Sequence, residues 1–269
     1  MRRIKFLILC LIPSLILAQL PEKTLMGKST VLVCYGKLKP SNIKDYNYVI
    51  IESNHYNESD IKQIKKQNKR VYAYISLGEV NAHSRLYKEL KNNTLGKNNN
   101  WNSYYLDLKS QKTKEILLSA IKGIFDKGFD GLFLDNVDNF SSYGPQANQS
   151  EDLIQLISQI KSKFPKKTLI QNSGYELLPK TSTYIETILF ESVATNYLFE
   201  HKKYQLRTQK EYETYLKRLN SIKENYAIPI LLLEYANSKK LQIQVVKRLA
   251  ATNFDYCIEK IDLQSITVF

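Results

Sequence analysis

Three observations predict a (β/α)8 barrel for this chain. Eight short apolar runs alternate with amphipathic segments, the runs are almost continuously hydrophobic, and 269 residues is an ordinary length for one such barrel. Continuous apolar strands imply a sheet covered on both faces, and strands that alternate with helices imply parallel βα units. The runs fall at residues 30–34, 48–51, 71–77, 131–134, 168–171, 187–190, 230–233 and 256–258.

The elements follow in order. Arg2, Arg3 and Lys5 precede an apolar stretch over 6–18, broken only by Pro13 and Ser14 and ending at small Ala18, so residues 1–19 read as a secretory signal segment and 20–269 as a single barrel domain. The stretch is shorter than the roughly 20 residues that span a bilayer comfortably. A secreted, periplasmic or cell-envelope location is therefore expected, with membrane attachment only if the segment is retained. Cys10 lies inside the apolar run and gives no lipoprotein signature. The connections after the first and fifth strands are short and poorly helical. Helices are expected at 59–68, 112–127, 150–163, 208–225 and 238–252; the second is the clearest, with Ile116, Ala120, Ile121, Ile124 and Phe125 at three- and four-residue steps. Between the third and fourth strands, residues 80–110 form an extra loop over the barrel mouth, carrying Asn98-Asn99-Asn100 and the only tryptophan, Trp101. Gly128 suits a left-handed helix end, and Gly131 lets the fourth strand start close to its neighbours.

Charge and motif spacing exclude several classes. The net charge is +13, but the lysines are spread along the predicted outer helices (Lys62, Lys65, Lys66, Lys69; Lys161, Lys163, Lys166, Lys167) among Asn and Gln. That is a solvated surface rather than a nucleic-acid footprint. Gly27-Lys28-Ser29-Thr30 imitates the end of a phosphate loop, but Glu22 stands where its first glycine belongs and the segment precedes a strand. His55, His83 and His201 lack paired zinc-ligand spacing, and no G-x-S-x-G elbow is present. No cofactor is indicated. Cys34 and Cys257 fall on the first and last strands at different heights and are expected as buried free thiols.

The chemistry sits at the strand ends. Glu52, Glu79, Asp135, Glu191 and Glu234 each follow an apolar strand immediately or within three residues. In a barrel these ends converge on one mouth, where crowded carboxylates acquire divergent pKa values. Alternation along 132–135 places Phe133 and Asp135 on one face, inward. Such pairs suit glycosidic bond hydrolysis, and hard cations such as Mg²⁺ or Ca²⁺ are the competing use. Nineteen tyrosines and Trp101 supply aromatic faces for sugars, Tyr35 and Trp101 foremost, with Tyr143, Tyr175, Tyr197 and Tyr235 also at strand ends or in mouth loops.

Five segments resemble the endo-α-1,4-polygalactosaminidase family of glycoside hydrolases, family 114: Tyr35-Gly36, Tyr72-Ala73-Tyr74-Ile75-Ser76-Leu77-Gly78-Glu79, the run from Gly128-Phe129-Asp130-Gly131 to Leu134-Asp135-Asn136-Val137-Asp138, Gln171-Asn172-Ser173-Gly174, and Phe190-Glu191-Ser192. The resemblance spans nearly the whole mature chain. It implies a (β/α)8 barrel, secreted polysaccharide hydrolysis, and a catalytic pair at the ends of the fourth and sixth strands, here Asp135 and Glu191. Two positions depart from the family pattern: Glu52 stands for the usual Asp, and Glu234-Tyr235 for Asp-Tyr.

The expectation is an endo-acting, retaining hydrolase of an amino-sugar polysaccharide, with Asp135 as nucleophile and Glu191 as acid/base. Tyr35, Glu52, Glu79, Trp101, Asn136, Asp138, Asn172, Glu234 and Tyr235 make up the substrate-binding set. The alternatives are a non-catalytic carbohydrate-binding barrel and a metal-dependent hydrolase.

Overall fold

A computed structural model describes residues 30–268; the signal segment and the Gly27–Ser29 stretch lie outside the described residues. Eight parallel strands run in sequence order around the sheet: β1 (Val31–Cys34), β2 (Tyr48–Glu52), β3 (Arg70–Ser76), β4 (Gly131–Asp135), β5 (Thr168–Asn172), β6 (Thr187–Glu191), β7 (Ile230–Tyr235) and β8 (Asp255–Glu259). β1 and β8 lie against each other. Above them the Tyr35 and Gly36 amides both donate to the Leu263 carbonyl, at 2.7 and 3.3 Å, which ties the two ends of the sheet together. The outer helices are α1 (Glu58–Gln67), α2 (Gln111–Asp126), α3 (Ser150–Lys163), α4 (Gln209–Tyr226) and α5 (Lys239–Leu249), each within two or three residues of its expected range. Reciprocal capping boxes start α1 at Asn57/Asp60 and α4 at Thr208/Glu211.

Period-two alternation divides the barrel strands between two apolar layers. Val31, Val33, Ile50, Tyr72, Phe133, Ile170, Leu189, Leu231, Leu233 and Cys257 fill the barrel. Leu32, Val49, Ile51, Val71, Ala73, Leu132, Leu134, Leu169, Phe190 and Leu232 face the helices. Cys34 belongs to the outer layer and Cys257 to the inner one, so the sheet itself separates the two thiols, and both are buried and free. Gly128 closes the turn after α2 at φ 97°. At Gly131 a Cβ would sit 2.1 Å from the Thr168 carbonyl oxygen, so only glycine lets β4 and β5 pair this closely.

Two antiparallel excursions rise from the carboxyl ends of the strands. Residues expected as one long loop after β3 instead build a three-stranded sheet from Glu79–Asn81, Thr94–Asn98 and Ser103–Leu106. After β6 a hairpin of Thr195–Leu198 and Lys203–Leu206 stands between that strand and α4, where no element was expected. Among the described residues, no helix is long and apolar enough to cross a membrane.

Candidate active site

The interior parity of the strands sets which residues crown the barrel. The next inward position on each strand above the apolar layers is Tyr35 on β1, Glu52 on β2, Tyr74 on β3, Asp135 on β4, Asn172 on β5, Glu191 on β6 and Tyr235 on β7; all seven line one cavity of about 1040 Å³. On three successive strands the residue after the functional side chain turns left-handed: Asn136 (φ 59°), Ser173 (φ 53°) and Ser192 (φ 56°). The strands thus end abruptly behind Asp135, Asn172 and Glu191, and the chain bends away from the mouth. Asn tolerates this conformation; the two serines hold it at a local cost of roughly 1 kcal/mol or more each.

Asn172 joins the two acids. Its Nδ2 donates to Asp135 Oδ1 at 2.7 Å and to Glu191 Oε1 at 2.8 Å, so these carboxylate oxygens are at most 5.5 Å apart. The opposite amide orientation would set a carbonyl oxygen against the Asp135 carboxylate, so electrostatics select the donor. Asp135 also accepts from the Asn136 backbone N–H and the Tyr74 hydroxyl. Glu191 accepts from Tyr235 Oη at 2.5 Å. Burial raises both acids. For Glu191 burial and then the Asp135 charge outweigh the Tyr235 and Asn172 donors, and its pKa reaches about 7. Asp135 has three donors holding its anion, so it ionises first and helps keep the proton on Glu191.

Other residues expected at the mouth divide into two groups. Asp138 lines the cavity, and burial followed by the Asp135 charge raises its carboxyl to about 6. Glu52 also lines it, raised by burial and held by the Asn54 amide and side chain at 3.1 and 2.9 Å. Tyr35 packs on Tyr74 with ring centroids 4.4 Å apart, and Asn136 accepts from Ser76 Oγ at 2.5 Å. Trp101 reaches the cavity from the tip of the three-stranded sheet, with 47% of its surface exposed.

Glu79 and Glu234 are placed differently. Glu79 reaches the lining, but its oxygens are taken by Asn98 Nδ2, by Asn139 Nδ2 at 2.9 Å and by Ser103 Oγ, so it pins the turn of the first excursion to the segment after β4. Glu234 was expected to bind substrate, yet it is fully buried and outside the cavity. Leu233 and Tyr235 point into the barrel, which turns the intervening Glu234 outward. There it accepts from the Val193, Ala194 and Thr195 amides and from Thr195 Oγ1, at 3.0, 2.8, 2.8 and 2.6 Å. Tyr74, which steadies Asp135, had no assigned role; its inward parity with Tyr72 was the available signal.

Comparison with known proteins agrees with the fold. The glycoside hydrolase domain of PelA from Pseudomonas aeruginosa matches with a TM-score of 0.79 at 22% identity, over 90% of this chain and 98% of that one. Ega3 from Aspergillus fumigatus, solved in complex with galactosamine, matches with a TM-score of 0.67 at 19% identity, over 87% of this chain and 90% of that one. These likenesses establish the barrel. An uncharacterised protein of Methanocaldococcus jannaschii is 28% identical over 223 residues, 76% of this chain, and the chain spans 63% of that relative's length. The model of glycoside-hydrolase family GH114 matches residues 27–269, and the chain belongs to that family.

Proposed function

We propose that this protein is a retaining, endo-acting glycoside hydrolase of an amino-sugar polysaccharide. The observation that carries the reading is the Asn172 bridge. A separation of at most 5.5 Å between the bridged oxygens suits a nucleophile and an acid/base on one glycosidic bond, where an inverting pair at about 6.5–9.5 Å would leave room for water. Glu191, protonated near neutrality, gives its proton to the glycosidic oxygen as Asp135 attacks the anomeric carbon and the C–O bond breaks. The glycosyl ester on Asp135 is then cleaved by water, whose proton returns to Glu191. Asn172 and Tyr235 position both groups without themselves reacting.

The substrate class is read from charge. A protein of net charge +13 lines one cavity with Glu52, Glu79, Asp135, Asp138, Glu191 and Asp262 against Arg85, Lys127 and Arg218, so the acids outnumber the bases there. Such a cleft suits a sugar chain bearing free ammonium groups, and Ega3 was solved with galactosamine. The apolar leader after Arg2, Arg3 and Lys5 supports delivery to the envelope or exterior.

The test uses the mature protein with D135N and E191Q. Each is incubated with acetylated and deacetylated galactosamine and glucosamine polymers, and products are read by mass spectrometry and by the anomer first released. Oligosaccharides of retained configuration from the wild type, and none from the variants, are expected. Equal oligosaccharide binding by wild type and D135N, with no product from either, would instead make the barrel a binding module.

A further inference from the structure

We propose that the two excursions close an aromatic arch over the cleft, under which the polysaccharide chain is held between successive cuts. Trp101 stands at the tip of the three-stranded sheet after β3, and Phe199 at the tip of the hairpin after β6. These strands are third and sixth in the barrel order, well apart around the rim. The two rings nevertheless meet edge to face with centroids 5.3 Å apart, and Tyr197 and Tyr204 continue the row at 5.0 and 4.8 Å. Trp101, Tyr197 and Phe199 all line the cavity that holds Asp135 and Glu191. A contact between excursions rooted that far apart is a chord across the mouth.

The cavity continues on both sides of that chord. Tyr143 and Tyr175, after β4 and β5, line one part; Asn54 and Asp262, after β2 and β8, line another. A cavity of about 1040 Å³ lined from both sides of the arch is larger than one sugar requires and has room for a chain.

Both arms are anchored to the barrel. Glu79 ties Asn98 and Ser103, which flank the turn carrying Trp101, to Asn139 beside β4. Glu234 ties residues 193–195 at the base of the second, Arg248 donates to the Ala194 and Arg207 carbonyls at 3.2 and 2.7 Å, and the Ile261 amide donates to Tyr204 Oη at 3.1 Å. At the tips the only tryptophan and Phe199 stay 47% and 41% exposed, an apolar patch without a covering partner among the described residues. Anchored arms and bare aromatic tips point to stacking against a passing sugar chain.

The inference rests on the hydrolase reading, and the experiment separates the two. Wild type, W101A, F199A and F199Y digest a partly deacetylated α-1,4-galactosamine polymer, and fragment lengths are compared at equal numbers of bonds cleaved. The wild type and F199Y should release short oligosaccharides while most of the polymer stays long. W101A and F199A should release the chain after each cut, lowering the mass-average length by about twofold more at the same extent, as the loss of local effective concentration predicts. Folded W101A and F199A with the fragment distribution of the wild type would overturn the arch. Should the wild type release nothing, the hydrolase reading falls alone, and the arch is judged on E191Q by Trp101 emission. A shift on adding the polymer supports the arch; binding seen by sedimentation with no shift, or no binding at all, overturns it.

Discussion

Replacing Glu191 with glutamine separates what burial costs the fold from what the carboxyl does in catalysis. The Glu191 pKa rises from an ordinary 4.5 to about 7, so the folded protein holds this proton more tightly than the unfolded chain does. Below about pH 4 both states are protonated and the site imposes no penalty. As pH rises from 4.5 the unfolded chain ionises while the folded one does not, and above 7 the folded site must carry two neighbouring anions. Stability therefore falls across that window, by at most about 3 kcal/mol for the full gap and about 1–3 kcal/mol once partial exposure is allowed for. Glutamine fits the same place: its carbonyl oxygen can accept from Asn172 Nδ2, and its amide nitrogen can donate to Tyr235 Oη. E191Q should match the wild type near pH 4 and exceed it at pH 8 by about 1–3 kcal/mol, a Tm rise of about 2–4 °C per kcal/mol for a chain of this size. Urea and thermal unfolding of both proteins at pH 4, 6 and 8 read this directly, while turnover should fall by about 10³-fold or more. A stability difference that does not change with pH, or E191Q being the weaker protein at pH 8, would refute the reasoning.

Removing the Tyr235 hydroxyl takes away a donor that favours ionised Glu191. Y235F should move the alkaline limb of kcat/KM upward by about half a pH unit to one unit, with kcat down about tenfold; an unmoved limb would show that Tyr235 does not act through Glu191. E234A leaves three buried amides and a hydroxyl without their acceptor and should cost about 3–5 kcal/mol in urea unfolding, so a loss below about 1 kcal/mol would contradict the pinning role. G131A drives a Cβ to 2.1 Å from Thr168 O and 2.8 Å from the Tyr72 ring, and should destabilise by about 1–3 kcal/mol or more. By contrast Gly123, inside α2, has nothing within 4 Å of an added Cβ, and G123A should stabilise by about 0.5–1 kcal/mol.

The barrel was legible because burial on both faces leaves unbroken apolar runs, and all eight predicted runs became neighbouring parallel strands. Asp135 was legible for a stricter reason: the alternation that buries Phe133 inside the barrel carries Asp135 to the mouth. The same rule applied to 231–235 would have turned Glu234 outward, since Leu231, Leu233 and Tyr235 take the inner positions. Nearness to a strand end does not by itself bring an acid to the mouth. The two excursions were harder to read. Their strands carry Gly96, Lys97, Asn98, Asn196 and Gln205, a polar composition set by one-sided contact with solvent, and only their turns and isolated aromatics differ from loop. Nothing local in the sequence pairs Trp101 with Phe199, because that contact depends on how two separate arms lean over the barrel.

The five strand-end acids owe their different fates to where backbone geometry points them, and this explains how one mouth tolerates so many. Glu52, Asp135 and Glu191 point inward into the cavity, and burial raises all three, as it does the outward Glu234. At Glu191 that cost serves the chemistry, because an acid meant to hold a proton near neutrality must be poorly solvated. Glu79 and Glu234 are each surrounded by donors, and their acceptor capacity goes into anchoring an arm. A buried carboxylate can accept several amides at once, which a neutral side chain of the same length cannot do. Thus the acids that fix the two arms stand beside the pair proposed to cut, and the arms they fix meet over that pair. Loosening either anchor should therefore alter how the polymer is held before it alters the chemistry of Asp135 and Glu191.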